Sequence, residues 1–228
     1  MKKALLIPVK DLGMAKSRLS NLLSQSVRTE LAEVMLRTVF GVVAKLDWDW
    51  LRVIVTNYPP AIDLAASYGF SVIQETHQVS ESESVDFASQ ILEEDGVLGC
   101  LRLPLDLPLL DVETLRYLLN LTEKADVVII PSYDGTGTNA LYRSSPTLFP
   151  SKFGEDSLEK HSALARKKTD KVIIQSKDRI GVDIDEPEDL ALLGSLGMTC
   201  PTLDFLIQAG IAKKTSEGSW EIRGKEDV

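Results

Sequence analysis

Three aspartates occur at positions where a carboxylate is suited to binding a metal ion. Asp106 lies in "RLPLDLPLLD", where a carboxylate among prolines and leucines is costly to desolvate unless it binds a cation or several donors. Asp183 and Asp185 alternate around Ile184, so both point to the same side of an extended backbone. Oxygen ligands of this kind suit a hard divalent ion such as Mg²⁺. We predict a metal site formed by these three aspartates, although helix capping or an acidic turn would explain each motif alone.

Three cations follow the first apolar run of the chain. Lys10, Lys16 and Arg18 lie within "IPVKDLGMAKSRL", in a protein whose formal net charge is −9. Because the overall charge repels anions, a phosphate group has to be bound by a local cluster of cations such as this one. A single glycine, Gly13, excludes a Walker P-loop and a GxGxxG fingerprint. We predict that the segment binds a phosphate-bearing ligand, and a solvated basic loop is the alternative.

Two further segments are rich in donors for an anion. "DGTGTNAL" is predicted to be a loop, in which glycines let a ligand approach backbone N–H groups and the polar side chains add donors. "FGEDSLEKH" leads into a predicted helix, whose N-terminus favours an anion. We predict that these segments bind a second, smaller anion through Thr136, Thr138, Asn139, Gly154 and Ser157. Capping by Asp156 or Ser157 explains the second segment equally well, and His161 either faces this site or lies on the surface.

These residues can meet only if the elements before them end at the same edge of a sheet. Apolar runs predict strands at residues 4–9, 51–56, 70–73, 98–103, 126–131 and 172–175. Helical patterns occur at residues 27–45, 60–68, 83–94, 112–124, 158–168 and 186–193. This alternation predicts an α/β fold, a single-domain doubly wound mostly parallel sheet. Ligands of such sheets bind beyond the carboxyl ends of the strands, where the candidate segments occur.

Composition excludes several classes of protein. The acidic charge, with an isoelectric point near 4.8, argues against a general nucleic-acid binder and against an anionic-membrane binder. No apolar run reaches the roughly 20 residues that span a membrane, and the first run is interpreted as a strand rather than a signal peptide. Cys100 and Cys200 lack metal-ligand spacing, which indicates reduced thiols. We therefore predict a cytoplasmic protein that binds neither nucleic acid nor membrane.

The end of the chain differs in composition from the rest. Residues 1–210 are predicted to form one domain, and residues 211–228 a loosely held polar tail. Trp220 would hold this tail against the body or against a partner subunit. A homodimer is compatible with the sequence, because an apolar sheet edge or helix could pair.

The combination of cations, paired carboxylates and a second anion site indicates nucleotidyl transfer. In that reaction a phosphate or similar oxyanion attacks the α-phosphorus of a nucleoside triphosphate, and pyrophosphate leaves. Such transfers depend on positioning and charge neutralisation, without a covalent protein nucleophile. Two alternatives remain open: a glycosyltransferase that uses Asp183 and Asp185 as a DxD metal site, and a non-catalytic nucleotide-binding domain.

Five motifs, in their order along the chain, resemble the phospholactate guanylyltransferase family of deazaflavin coenzyme F-420 biosynthesis. They are "IPVKDLGMAKSRL", "LPLDLPLL", "DGTGTNAL", "FGEDSLEKH" and "VDIDEPEDL". The resemblance implies a nucleotidyltransferase fold of the nucleotide-diphospho-sugar transferase type. It also implies a Mg²⁺-dependent reaction that joins GTP to 2-phospho-L-lactate, phosphoenolpyruvate or 3-phospho-D-glycerate.

The resemblance also implies roles for individual residues. The triphosphate would contact Lys10, Lys16 and Arg18, which with Asp106 form the predicted catalytic set. The metal ion would bind Asp106, Asp183 and Asp185, and the phospho-acid would bind the donor-rich segments. Where many members carry a Gly-Leu-Asn-Ala-like helix start near the nucleoside, this chain has "SESESVDFASQIL", in which Ser84 and Asp86 supply polar groups. This difference from the family's sequence weakens the prediction that guanine is preferred more than it weakens the predicted type of reaction.

Overall fold

A seven-stranded sheet forms the centre of the protein in a computed structural model that describes residues 2–216 and 219–224. Its strands, in chain order, are β1 Lys3–Pro8, β2 Leu51–Thr56, β3 Ser71–Gln74, β4 Gly99–Arg102, β5 Val127–Pro131, β6 Thr138–Arg143 and β7 Val172–Ile174. Their spatial order is β3-β2-β1-β4-β6-β5-β7. Only β6 runs antiparallel to its neighbours β4 and β5. The prediction of a doubly wound, mostly parallel α/β sheet is confirmed.

Helices cover the sheet. They are α1 Gln25–Ala44, α2 Pro59–Ser67, α3 Glu81–Glu94, α4 Val112–Thr122, α5 Ser157–Arg166, α6 Asp178–Gly181, α7 Pro187–Ser195 and α8 Pro201–Gln208. All six predicted helices and all six predicted strands are present, with their ends shifted by no more than two residues. Side-chain oxygens begin several helices: Ser24, Ser80 and Asp111 each accept a backbone N–H of the first turn of α1, α3 and α4.

The alternation of side chains along β1 connects the two halves of the core. Leu5 and Ile7 pack into one apolar cluster with α1 and α4, whereas Ala4 and Leu6 pack into another with α3. All four side chains are completely buried. Burial of a leucine or isoleucine contributes about 2 kcal/mol, so these two layers hold the carboxyl ends of β1 and β4 firmly in place.

Strand β6 corrects one prediction from the sequence. The segment "DGTGTNAL" was predicted to be a loop, but only its first half is one: Ser132 N donates to Gly137 O across a tight turn, and the chain then enters β6. Thr138 and Asn139 are consequently buried strand residues. The glycines and threonines indicated a loop, although the segment continues into a strand that pairs with β4 on one side and with β5 on the other.

The described part of the predicted tail is folded. Strands β8 (Ala212–Lys214) and β9 (Trp220–Ile222) form an antiparallel pair, and Trp220 packs against Gly194 of α7. A Cβ atom on Gly194 would lie 2.5 Å from the Trp220 ring, so the glycine makes room for it. Residues 217–218 and 225–228 of the predicted tail lie outside the described residues. Among the helices of the described ranges, none combines the length and apolar character needed to cross a membrane.

Candidate active site

The loops after β4 and α6 bring three carboxylates together at the carboxyl edge of the sheet. Ile184 N donates to Asp106 O at 3.2 Å and thereby joins the two loops. Asp106, Asp183 and Asp185 each contribute an oxygen within 4.8 Å of the other two. The structure thus shows the proximity that the sequence predicted, while their role as metal ligands stays a prediction.

Asp183 lies in the most crowded position of this cluster. Burial, followed by the nearby Asp106 carboxylate, raises its pKa to about 7. Asn139 Nδ2 opposes this effect by donating to Asp183 Oδ1 at 3.1 Å, and also donates to the carbonyl oxygens of Ile180 and Gly181. Asn139 therefore positions an acidic side chain. A divalent cation fits this set of oxygen donors because it would neutralise charges that repel one another.

Lys16 reaches into the carboxylate cluster. Its ammonium lies 2.9 Å from Asp106 Oδ2 and 2.9 Å from Asp185 Oδ1. Burial disfavours the charged ammonium, but the two carboxylates outweigh that effect and raise the pKa of Lys16. Burial alone would also raise the pKa of Asp106, yet Lys16 lowers it below the ordinary aspartate value. Lys16 is therefore a permanent positive charge among the three aspartates.

The backbone at Lys16 is unusual. Its φ of 53° places it in the left-handed region, which a lysine seldom adopts. Arg28 of α1 holds this conformation, because its guanidinium donates to the carbonyl oxygens of Ala15 and Lys16 at 3.3 Å each. The strained turn directs the ammonium of Lys16 toward the aspartates rather than toward solvent. Arg28 was not recognised in the sequence, since helical periodicity gave no sign that its side chain turns back onto this loop.

Lys10 and Arg18 diverge from Lys16. Arg18 is 68% exposed and donates to Glu186 at 3.2 Å, on the side of Asp185. Lys10 is exposed on the other side, and its ammonium forms no ion pair with any described residue. The three predicted phosphate contacts are therefore spread along the edge of the sheet and do not form one compact cluster.

Two neighbouring cavities open at this edge. The larger, of about 690 Å³, is lined by the three aspartates and by Ser157, and we call it the acidic cavity. The smaller, of about 480 Å³, is lined by the loop after β1, including Lys10 and Lys16, and we call it the loop cavity. Five residues line both cavities: Glu81, Arg102, Pro104, Asp106 and Asp185.

The predicted anion-binding segments line the acidic cavity. Leu158 N donates to Thr136 O at 3.0 Å, which joins the turn before β6 to the start of α5. Gly154 and Ser157 lie beside this junction, and Gly154 has a φ of 104° that favours glycine. Thr136 Oγ1 donates to Asp134 at 2.6 Å, so its hydroxyl already has an acceptor. The predicted residues are therefore brought together, although their contact with an anion stays a prediction.

His161 is buried beneath this wall, so its alternative interpretation as a surface residue is wrong. Its Nε2 accepts a hydrogen bond from Lys152 N at 2.8 Å, so its proton resides on Nδ1 and is donated to Thr138 Oγ1 at 3.0 Å. Burial, and then the charges of Arg102 and Arg143, lower the pKa of His161 to about 3. The neutral imidazole therefore fixes the Thr138 hydroxyl and does not serve as an acid.

Ser84 and Asp86 line neither cavity, which corrects the expectation that they approach a nucleotide. Ser84 is buried, and its hydroxyl donates to Glu75 Oε2 at 2.7 Å. Asp86 accepts from Ser151 N at 2.9 Å and pairs with Arg143. Ser84 faces inward because α3 packs it against the protein body, whereas Asp86 stays partly exposed.

A buried arginine that sequence reasoning missed lies between the two cavities. Arg102 ends β4 with only 5% of its side chain exposed, and it forms an ion pair with Glu81. It donates to Thr138 O at 3.1 Å, and its guanidinium carbon lies 4.1 Å from the centre of the Phe153 ring. The signal was present in the sequence: "CLRLPL" sets one arginine inside a fully apolar strand.

Comparison with known proteins identifies the family. A model of the family described as "Guanylyl transferase CofC like" matches residues 3–225. The chain belongs to this family. A 2-phospho-L-lactate guanylyltransferase from Methanocaldococcus sp. (strain FS406-22) is 31% identical, over 96% of this chain and 94% of that protein. A phosphoenolpyruvate guanylyltransferase from Rubrobacter xylanophilus is 32% identical, over 84% and 93%. A 3-phospho-D-glycerate guanylyltransferase from Colwellia psychrerythraea is 30% identical, over 86% and 93%.

Solved structures show the same fold at lower identity. A nucleotide-diphospho-sugar transferase structure from Desulfovibrio desulfuricans G20 matches with a TM-score of 0.74 at 17% identity, over 91% of this chain and 95% of that one. A cytidylyltransferase from Leptospira borgpetersenii matches with a TM-score of 0.56 at 14% identity, over 92% and 94%. The resemblance predicted from the five motifs and the nucleotidyltransferase fold are both confirmed.

Proposed function

We propose that this guanylyl transferase family member joins GTP to a small phosphorylated acid in a Mg²⁺-dependent reaction that releases pyrophosphate. The observation that carries the proposal is the cluster of Asp106, Asp183 and Asp185, which share one site with Lys16 at the carboxyl edge of the sheet. Three like charges in one partly buried site need a cation, and a metal-bound triphosphate supplies one. The names of the relatives support the choice of GTP and of a phospho-acid acceptor.

The three aspartates would hold Mg²⁺, which would neutralise charge on the triphosphate and on the departing pyrophosphate. The chain's own residues supply the rest of the positioning. Lys16 is fixed beside Asp106 and Asp185, so it lies within reach of a phosphate at this site. Lys10 and Arg18 flank it on either side and would bind the outer phosphates of a chain that extends along the edge.

The loop cavity is suited to the nucleoside. It combines the charged edge formed by Lys10, Lys16 and Asp106 with apolar side chains from the loop after β1 and from α1, among them Leu12 and Met35. An apolar wall can hold a base while the charged edge holds its phosphates. In this arrangement the α-phosphorus would lie near the residues that the two cavities share.

The acidic cavity is suited to the acceptor. Thr136, Gly154 and Ser157 form the wall opposite the three aspartates. The N-terminus of α5, which begins at Ser157, favours a negative charge there. An acceptor phosphate between this wall and the shared edge would face the α-phosphorus, with pyrophosphate leaving on the far side. The product would be a guanylylated phospho-acid, the kind of intermediate expected in deazaflavin coenzyme biosynthesis.

Pyrophosphate release with Mg²⁺ tests the proposal. GTP and ATP are each combined with 2-phospho-L-lactate, phosphoenolpyruvate and 3-phospho-D-glycerate, and a nucleotide sugar is included as a further donor. We expect release only when GTP, one phospho-acid and Mg²⁺ are all present. The Asp183→Asn variant should be inactive, whereas Asp204→Asn, a matched change on the exposed face of α8, should retain activity. Turnover of the nucleotide sugar without pyrophosphate would overturn the proposal, as would folded protein that is inactive with all six pairs.

A further inference from the structure

The acidic cavity presents an electrostatic problem for its proposed ligand. Eight carboxylate side chains line it, and the cations that line it, among the residues that the structure describes, are Arg18 and Arg102. A phosphorylated carboxylic acid carries about three negative charges at neutral pH. Such a ligand can enter this cavity only if a positive charge is fixed near it, because like charges at close range repel strongly.

The two arginines are not equivalent. Arg18 is largely exposed, and a solvated side chain of this kind gives little binding energy. Arg102 is buried, and contacts with Thr138 O and the Phe153 ring fix the plane of its guanidinium. It also lies where the acidic cavity meets the loop cavity. Arg102 is therefore, of the two arginines, the one with a fixed position at the junction of the two proposed substrates.

The bonding of Arg102 is incomplete in one respect. Its Nε lies buried with no hydrogen-bond partner among the described residues. Its Nη2 pairs with Glu81, which is in the first turn of α3 and is 28% exposed. A buried N–H without an acceptor is unfavourable, because it has lost its hydrogen bond to water. The charge of Arg102 is thus paired with a partly exposed carboxylate, and one of its buried donors has no acceptor among the described residues.

We propose that Arg102 binds an oxyanion of the phospho-acid acceptor, and that this oxyanion takes the place of the Glu81 carboxylate. The inference rests on the proposed function and names the residue that recognises the acceptor. Glu81 keeps the arginine neutralised while the cavity holds no acceptor, and a ligand with two anionic groups replaces a single carboxylate. Because Arg102 also donates to Thr138 O, it ties the acceptor to the wall formed by Thr136 and Ser157.

Calorimetric titration tests this role without turnover. Each of the three phospho-acids is titrated into the protein with excess Mg²⁺ and no GTP. Removal of a charge-assisted hydrogen bond costs about 1.5–3 kcal/mol, so we expect Arg102→Met to weaken binding by roughly 10- to 100-fold. Arg102→Lys keeps the charge without the planar fork and should lie between Arg102→Met and the wild type. Glu81→Gln removes the competing charge and should tighten binding.

Arg143→Lys is the matched control for Arg102→Lys. Arg143 is also buried, pairs with a carboxylate of α3 and lies over a phenylalanine ring, but it lines neither cavity. The control variant should bind the acid as the wild type does, even if its melting temperature falls. In the pyrophosphate assay, Arg102→Met should raise the KM for the acid while changing the KM for GTP by less than about threefold.

The outcomes separate this inference from the proposed function. Acid binding that Arg102→Met weakens, in a wild type that releases no pyrophosphate, would contradict the proposed function and support the role of Arg102. Folded Arg102→Met that binds the acid within threefold of the wild type would refute the inference, and so would wild type that binds none of the acids. Where Arg102→Met weakens binding, competition by inorganic phosphate or by L-lactate shows which oxyanion Arg102 contacts.

Discussion

Two arginines on neighbouring strands have similar contacts but different surroundings. Arg102 on β4 and Arg143 on β6 are both almost fully buried, each pairs with a carboxylate of α3, and each lies over a phenylalanine ring. Arg143 completes its bonding inside the protein, with Phe149 O and Ser89 Oγ as acceptors. Arg102 faces both cavities and keeps one buried donor without an acceptor.

The same contrast holds for the charged groups around them. Away from the cavities, Arg143 and Asp86 balance each other, and Asp86 also accepts the backbone N–H of Ser151. At the carboxyl edge, one ammonium, that of Lys16, faces three carboxylates. Charges that the protein balances by itself contribute to stability, whereas charges left in excess at a cavity need a ligand. Substitutions at the edge should therefore alter activity more than stability, and substitutions at the Arg143–Asp86 pair should do the reverse.

The largest expected effect is the loss of activity in Asp183→Asn. Removal of one of three metal-type ligands should lower kcat on the order of 10³-fold or more. The unfolding free energy at pH 8 should stay equal or rise, because burial and the Asp106 carboxylate disfavour the charged form of Asp183 in the folded protein. Steady-state kinetics and urea denaturation measure the two quantities on the same preparation.

Magnesium ions provide the control for this variant. Millimolar Mg²⁺ should raise the melting temperature of the wild type, since a ligand that binds the folded state stabilises it. The same addition should leave Asp183→Asn unchanged. Equal shifts in both proteins would place the ion elsewhere and remove Asp183 from the metal site.

Next in size is the loss of stability in Arg143→Met. This change removes the buried guanidinium that Phe149 O, Ser89 Oγ and the partly exposed Asp86 carboxylate face, and buried acceptors left without a donor cost about 1–3 kcal/mol. The kcat of the fraction that remains folded should stay within about twofold of the wild type. Urea denaturation gives the stability, and titration of active sites gives the folded fraction. A variant of normal stability and reduced kcat would contradict the assignment of Arg143 to the structural side of the comparison.

The elements of the fold could be predicted almost completely, and the exceptions have physical causes. Continuous apolar runs such as 127–131 are typical of parallel strands. Apolar residues at helical spacing, as in α1, are typical of a helix that packs on one face of the sheet. Strand β6 was not predicted because Gly135, Thr136 and Gly137 just before it favour a turn, and because one of its two partners, β4, is distant in sequence. The hairpin of β8 and β9 was not predicted because its lysines make the segment polar overall, although Ile211, Ala212, Trp220 and Ile222 pack in one apolar cluster.

The residue types of the site could be predicted from the sequence, but which side chains reach the cavities could be predicted less well. Spacing around Ile184 and the position of Asp106 predicted the carboxylate cluster, because both follow the ends of elements. Arg102 was missed because the apolar residues around it indicate only that the arginine is buried. They give no indication of the cavity that its side chain reaches. Ser84 was misplaced because helical periodicity places a residue on a face, and only the packing of α3 decides which face is inward.

A smaller effect is expected for Lys16→Met at the edge. Loss of the ammonium removes a charge-assisted contact to the triphosphate, so kcat/KM for GTP should fall about 10- to 100-fold. The carboxylates of Asp106 and Asp185 would then repel each other without their ammonium, and Mg²⁺ binding should gain in affinity. Calorimetry with Mg²⁺ and initial rates with GTP check the two parts. An unchanged kcat/KM would return Lys16 to a structural role.

The smallest expected effect is a pH dependence of stability that arises behind the acidic cavity. His161 is buried between Thr138 and Lys152, and its pKa is lowered to about 3 by burial and by the charges of Arg102 and Arg143. In the unfolded chain the imidazole titrates near 6.5, so between these values the unfolded state binds the extra proton. Stability is therefore lost as the pH falls below about 6.5, with a slope that approaches 1.4 kcal/mol per pH unit.

Comparison of the two histidine positions isolates this contribution. Between pH 7 and pH 5 the wild type should lose roughly 2 kcal/mol more unfolding free energy than His161→Gln, because glutamine does not titrate. His77→Gln, at an exposed position, should follow the wild type. Equal pH slopes in wild type and His161→Gln would mean that the imidazole takes up its proton in the folded state. The tautomer that fixes the Thr138 hydroxyl would then be lost at low pH, and the wall of the acidic cavity would have to be held by the Leu158–Thr136 hydrogen bond instead.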